Sequence, residues 1–434
     1  MTQTTRHHHH HDHGGGGIEA AGARRALRIV VAAVGLAAVA GMALWWPAGD
    51  PDVDREALGF GPRARATVTS AERTACTADE TTRCNVVRAR VTQGPDTGDT
   101  AIFEATLDVD TPAAALRAGD RIVLNDAGPD VPVDVRWSFA DMQRTTPLVV
   151  LGAVFAIVVV ALGRWRGLAA LAGIAVSLAV LVGFIFPALL DGAPPLGVAL
   201  SGAVVIAFVT LYLAHGLNDR TTVALVGTLA SLGLTAALAV GFSAAAELSG
   251  LASEESINLL SFAPDLDFRG LLLAAVVIGT LGVLDDVTVT QVSAVAELRR
   301  SDPGLGARGL YRAGIRIGRD HIASTVNTLV LAYAAAALPL LLLFTQSGLP
   351  FAEIIATETV AVEIVQTLVG SIGLVASVPL TTGLACWVAT REPAAGEPYR
   401  WDEPPPDQPP DPWARRAPEP PPPDPFWGAV PPSR

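Results

Sequence analysis

The sequence predicts an α-helical polytopic membrane protein. It has about eight transmembrane helices and a small extracytoplasmic β-rich domain between helices 1 and 2. Three observations carry that reading. Of the 434 residues, 50% are hydrophobic and only 17% charged, with a mean hydropathy of +0.42, which is membrane-like composition. Apolar runs long enough for a hydrocarbon core of about 30 Å recur along the chain. One polar stretch, 48–146, instead alternates apolar and polar residues with a strand's period of two.

Taken in order, residues 1–23 predict a disordered, His- and Gly-rich cytoplasmic head. His7, His8, His9, His10, His11 and His13 are the candidate metal ligands here, and an expression tag is an equally open reading. Residues 24–47 predict an anchor helix. Arg24, Arg25 and Arg28 precede the apolar run Ile29–Trp46, which exceeds a signal-peptide core and has no clear cleavage site. Trp45 and Trp46 suit the far interface.

Within 48–146, the windows 63–74, 84–94, 100–110 and 120–126 read as strands separated by turn residues such as Gly94 and Gly119. The expectation is an OB-like barrel or sandwich of about five strands. Cys76 and Cys84 lie in this region. Outside the cytoplasm they would form a local disulfide, and two free thiols are the alternative.

Residues 147–390 predict a seven-helix membrane domain, with spans at 147–163, 168–190, 196–217, 222–246, 270–296, 321–345 and 364–389. All 30 basic residues are Arg, and their distribution orients the spans. Arg164, Arg166, Arg220, Arg299, Arg300, Arg308, Arg312, Arg316 and Arg319 fall on one side, and only Arg269 on the other. The positive-inside rule then places both termini in the cytoplasm of a bacterial plasma-membrane protein, with 48–146 outside. Residues 391–434 predict a disordered, Pro-rich cytoplasmic tail with polyproline-II character.

The most informative feature is Asp285 beside Asp286, in the otherwise apolar segment 271–296. Asp285 lies fourteen residues past Leu271, roughly 21 Å along a helix. An intramembrane Asp costs about 2.5–3.5 kcal/mol on insertion scales, so it needs a partner, an ion, a proton or water. Gly279, Gly282, Asp286, Thr290, Ser293 and Glu297 recur at helical spacing as one small-and-polar stripe, with Asp285, Thr288 and Gln291 on its adjoining side. The stripe is expected to face protein or water rather than lipid. The functional reading is a proton or cation site, and the alternative is a polar seam that fixes helix pairing.

Other polar residues qualify that picture. His321 shares a face with Ser324, Thr325 and Thr328, with Asn327 beside it, and Pro339 should kink the helix further on. Arg319 and His321 are the nearest candidate partners for the carboxylates along the chain. Glu363 begins a polar and glycine face with Gln366, Thr367, Gly370 and Gly373. The cluster from His215 to Arg220 reads as a helix end and tight loop. No P-loop, dinucleotide fingerprint, nucleophile elbow or metal-spaced Cys pair is present, so neither an enzyme nor a cofactor is expected. The net charge of −12, without a broad basic surface, argues against a nucleic-acid partner.

The segments Ile278 to Gln291, Gly318 to Ile322 with Asn327 to Tyr333, and Glu363 to Val365 with Gly370 to Gly373 together resemble the YibE/F-like family of bacterial multi-pass membrane proteins. The variant GVLDDVTVTQ looks actinobacterial. The resemblance covers about residues 60–390 and implies a membrane topology, not an activity. The expected function is a proton- or cation-coupled permease for a small solute. Asp285 and Asp286, with Thr290 on their stripe, would couple, Arg319 and His321 would modulate, and Asn327 and Glu363 would line the path. The alternative is a non-transporting scaffold or envelope accessory whose β-domain binds an extracytoplasmic protein partner. In either case the lipid bilayer is the surrounding partner.

Overall fold

Helices account for most of the chain because their backbone groups satisfy one another within each segment, as a lipid environment requires. The computed structural model describes residues 15–391 except 48, 50–61, 77–81, 95, 108–111, 129, 130 and 133–135. The His cluster at 7–13, residues 1–14 of the head and residues 392–434 of the tail lie outside the described residues.

Helix α1 is Gly15–Leu44, longer at its start than the apolar run alone. Five strands follow: β1 (Arg63–Ala75), β2 (Arg83–Gln93), β3 (Thr100–Thr106), β4 (Arg121–Asp126) and β5 (Trp137–Met142). They form one antiparallel sheet in the order β3-β2-β1-β4-β5. The sheet curls so that β3 and β5 approach each other without pairing, so it is a curled sheet rather than a closed barrel or sandwich. Its concave core holds Val68, Val87, Val91, Phe103, Ile122 and Leu124. Cys76 and Cys84 form a disulfide beside the β1–β2 turn. The fifth strand was not among the windows read from the sequence, since β5 alternates weakly and gains its place by pairing with β4.

Asp126 at the end of β4 is buried against Arg136. Its carboxylate accepts from Arg136 Nε at 2.6 Å, Arg136 Nη2 at 2.8 Å and the Gly128 N–H at 3.0 Å. The Arg136 hydrogen bonds hold the carboxyl below its ordinary value, outweighing desolvation, which pushes it up.

Among the described residues nine further α-helices follow: α2 (Thr145–Leu190), α3 (Pro195–His215), α4 (Asp219–Ala245), α5 (Glu254–Phe262), α6 (Phe268–Ser301), α7 (Ala307–Ala336), α8 (Leu338–Gln346), α9 (Phe351–Ala356) and α10 (Glu358–Ala389). Among the described residues six helices, namely α1, α2, α3, α4, α6 and α10, are long and apolar enough to cross a membrane. A seventh crossing exists if α7 and α8, bent by 63°, count as one broken span. Pro339 sits in the first turn of α8, just past the break, as the sequence led one to expect. Helix α7 begins fourteen residues before the span expected at 321, because the Arg-bearing segment 307–320 is itself helical.

Two expected spans, 147–163 and 168–190, fall within α2. Its 46 residues would reach roughly 69 Å if straight. The chain breaks at Arg164, with φ 51° and ψ −127°. Gly167 comes so close to the preceding turn that a Cβ there would lie 2.2 Å from the Val159 carbonyl oxygen. Residues eight apart in a straight helix are roughly 12 Å apart, so α2 bends sharply here.

Helices α3, α4, α6 and α10 form the centre, with α1 and α2 on α3 and with α7 against α10 and α6. A close approach joins α4 to α10 through a reciprocal pair of glycines. A Cβ at Gly227 would lie 2.4 Å from Thr381 Oγ1, and a Cβ at Gly373 would lie 1.9 Å from Thr235 Oγ1. Each helix thus seats a Thr of the other on a glycine. The outer faces are apolar, with Leu148, Phe155, Leu162 and Trp165 of α2 all exposed.

Two predictions follow from these contacts. Gly373→Val should destabilise the helical bundle by about 1–3 kcal/mol through overpacking. Thermal unfolding of the purified protein checks this, and an unchanged midpoint would show that α4 and α10 are not in contact. Because the Asp126 pKa is depressed, its stabilisation is complete above the unfolded value near 3.8 and is lost as pH falls below it. The protection factors of the β4 amides should therefore hold down to about pH 4 and fall below it. Asp126→Asn should raise exchange at neutral pH and flatten that acid dependence.

Candidate functional site

The two adjacent aspartates part company in the fold. Side chains one residue apart on a helix point about 100° apart, so the two carboxyls meet different surroundings. The face of α6 with the larger apolar area, carrying Leu281, Leu284, Val287, Val292 and Val295, turns inward. It takes Thr280, Thr288 and Gln291 with it into burial, and carries Asp285 to the edge of the core. Gly279, Gly282, Asp286, Thr290, Ser293 and Glu297 lie on the exposed side of this chain. The stripe expected to face protein or water is therefore on the bundle's surface, and the adjoining side is the one that packs.

Asp285 points between α3 and α4. Thr210 Oγ1 of α3 lies 3.4 Å from Asp285 Oδ2. The same hydroxyl donates to the Ile206 carbonyl at 2.8 Å, which is the better partner for its single proton. Thr228 of α4 faces the same carboxyl. Thr228 Oγ1 and Thr288 Oγ1 are 2.7 Å apart, and Thr288 Oγ1 is 3.1 Å from the Asp285 carbonyl. Asp285 Oδ1 is buried without a hydrogen-bond partner among the described residues.

A polar seam continues from this point toward the Arg-rich end. Gln291 Nε2 donates to the Gly314 carbonyl of α7 at 2.8 Å and to Thr382 Oγ1 of α10 at 2.7 Å. Thr382 Oγ1 donates in turn to the Val378 carbonyl at 2.6 Å. Gly314 and Gly318 make room for the Gln291 side chain, since a Cβ at Gly318 would lie 2.9 Å from its Oε1. One glutamine thus ties three helices together. Its type and face were visible in the sequence, but its two partners lie 23 and 91 residues away, beyond what periodicity reveals.

The remaining predicted residues are dispersed. Arg319 and Asn327 are exposed, and among the described residues no ion pair joins Arg319 to either aspartate. His321 is half-buried, with Nε2 buried and without a partner among the described residues. Glu363 is half-buried near Tyr333, whose hydroxyl rests against Gly279. At the other end, Asn218 caps α4 by accepting from the Thr221 N–H at 3.0 Å, and its amide donates to the His215 carbonyl at 2.7 Å. Asp219 pairs with Arg28 at 2.8 Å and Arg24 at 3.7 Å, which ties α1 to α4. The cluster from His215 to Arg220 is thus a helix end and tight loop.

No group of three or more His, Cys, Asp or Glu among the described residues is placed to hold a metal ion. Long apolar helices with an apolar outer surface around a Ser- and Thr-rich interior define a multi-pass membrane protein. The sequence matches the family described as YibE/F-like protein over residues 151–391. That is more than half of the 434 residues, and the chain belongs to this family. The match begins after the β-sheet, which lies outside it. No curated protein and no solved structure matches the chain.

The seam makes its own prediction. Gln291→Leu removes both donors and leaves the Gly314 carbonyl and Thr382 without that partner, which should cost about 1–3 kcal/mol. Thermal unfolding and protease susceptibility of the 302–306 loop should both register it. Stability equal to wild type would mean that α7 is held by other contacts.

Proposed function

We propose that the chain is a plasma-membrane permease for a small solute, coupled to a proton or cation through Asp285, with Asp286 beside it. The observation that supports this most is the buried Asp285 oxygen, which has no partner among the described residues. A carboxylate there leaves an acceptor unsatisfied, which is costly in a low-dielectric interior. A proton or a cation relieves that cost. A protonated carboxyl donates to Thr210 Oγ1, whose own proton serves Ile206. This chemistry is that of a group that loads and unloads charge rather than of a permanent ion pair.

The proposed topology has eight crossings. The break at Arg164 divides α2 into two lengths, each sufficient to span, and the α7–α8 pair supplies another crossing. The Arg distribution supports cytoplasmic termini and an extracytoplasmic β-domain. His321, with its unpartnered Nε2, is the proposed modulator on α7. Arg319, Asn327, Thr290 and Glu363 belong to the proposed path through the surfaces they present.

The scaffold reading draws on a different observation. Gln291, Thr381 and Gly373 make contacts whose effect is helix packing. The two readings separate in proteoliposomes. Under an imposed proton or sodium gradient, small solutes are screened for accumulation by wild type, Asp285→Asn and Asp286→Asn. The permease predicts gradient-driven accumulation by wild type that falls to background in Asp285→Asn, with unchanged folding. Equal accumulation by both variants, or none by wild type, would leave the scaffold reading in front.

A further inference from the structure

The Arg-rich end of the bundle contains a cavity of about 600 Å³ between the ends of α4, α6 and α10. That volume is within the range of small-molecule sites. Its wall is apolar, built from Val223, Val292, Val295 and Val388, and its rim carries Arg220, Arg299 and Arg300. We propose that this cavity binds an amphipathic anion, with a phosphate or carboxylate head on the arginine rim and an apolar body against the valines.

The arginines at the rim favour an anion. Arg220 is exposed and has no ion pair among the described residues. Arg299 is held in place because one guanidinium nitrogen donates to the carbonyls of Pro303 and Leu305, and its other nitrogens have no partner among the described residues. Arg300 pairs with Glu297 at 2.7 Å across an exposed turn, a contact that a better-placed anion can displace. Asp219 is the acidic residue that lines the cavity, and its carboxylate is engaged by Arg28 and Arg24. The 27-residue helix α4 also begins here, but its start is capped by Asn218 and carries Asp219 in the first turn, so the arginines supply the positive charge.

Two sources share this chemistry. One is an anionic phospholipid of the surrounding leaflet, which basic pockets between helix ends recognise. The other is a soluble organic anion. The binding needs no transport step, so a failed flux assay and a failed binding assay are separate outcomes.

The test uses full-length protein in a neutral maltoside detergent, titrated with hexyl phosphate and separately with hexanol, and read by native mass spectrometry. Saturable binding of hexyl phosphate but not hexanol is expected. Arg220→Gln should weaken it about tenfold, equivalent to 1.4 kcal/mol. Ala296→Trp, which fills the cavity from α6, should abolish it; Ala296 is one of its lining residues. Nanodiscs of phosphatidylglycerol or phosphatidylcholine then identify the source. One phosphatidylglycerol retained by wild type, lost in Arg220→Gln and displaced by hexyl phosphate assigns the site to lipid. Equal hexyl phosphate binding in both discs, with no retained lipid, assigns it to a soluble anion. Hexanol binding as well as hexyl phosphate, or hexyl phosphate binding unchanged in both variants, would overturn the proposal.

Discussion

The interlock of α4 with α10 is the contact around which the other helices are arranged. Lipid tails are as apolar as leucine, so burying apolar side chains gives membrane helices little reason to associate. What remains is close packing and hydrogen bonding. Thr381 on Gly227 and Thr235 on Gly373 bring two backbones together at two points along their length. The groove so formed receives the inward face of α6, and that placement sets Thr228 against Thr288 and Asp285 beside Thr210. The neighbourhood of the carboxyl is thus a consequence of glycine positions on helices that do not carry it.

The polar interior that results has two different characters. Around Gln291 its donors are used, and three helices are tied by one side chain. Around Asp285 the satisfaction is partial, with one carboxyl oxygen unpartnered and a threonine hydroxyl already committed elsewhere. A complete network stiffens a bundle, whereas an incomplete one stores a cost that a proton or an ion relieves. The β-sheet is stabilised in another way, by its own apolar face, a disulfide and the Asp126–Arg136 pair.

Much of this was legible in the sequence, for identifiable reasons. Long apolar runs reveal helices without any tertiary information, and the bend at Pro339 follows from a missing backbone N–H. Strong alternation revealed four strands, whereas β5 depends on its pairing with β4 and left a weak pattern. The Asp285–Asp286 pair singled out α6, but not which carboxyl turns toward the core. The small-and-polar stripe pointed to Asp286, yet the wider apolar face around Leu284 and Val287 decided the rotation and brought Asp285 to the interior's edge. The expected link from Arg319 to the aspartates rested on chain proximity. On α7 the inward positions belong to Leu310, Gly314 and Gly318, which leaves Arg319 outside. The arginine-rimmed cavity was invisible because it needs residues from three separated segments.

In the proposed permease Asp285, and not Asp286, is the carboxyl that exchanges a proton or cation. Infrared difference spectroscopy of the protein in lipid, with isotope-labelled aspartate, tests it most directly by following the carboxyl C=O band between acidic and alkaline buffers. Against the background of the exposed aspartates, one isotope-sensitive component at the weakly hydrogen-bonded, high-frequency end of the band is expected to be lost in Asp285→Asn and to survive in Asp286→Asn. A change that survives Asp285→Asn but is lost in Asp286→Asn would contradict it.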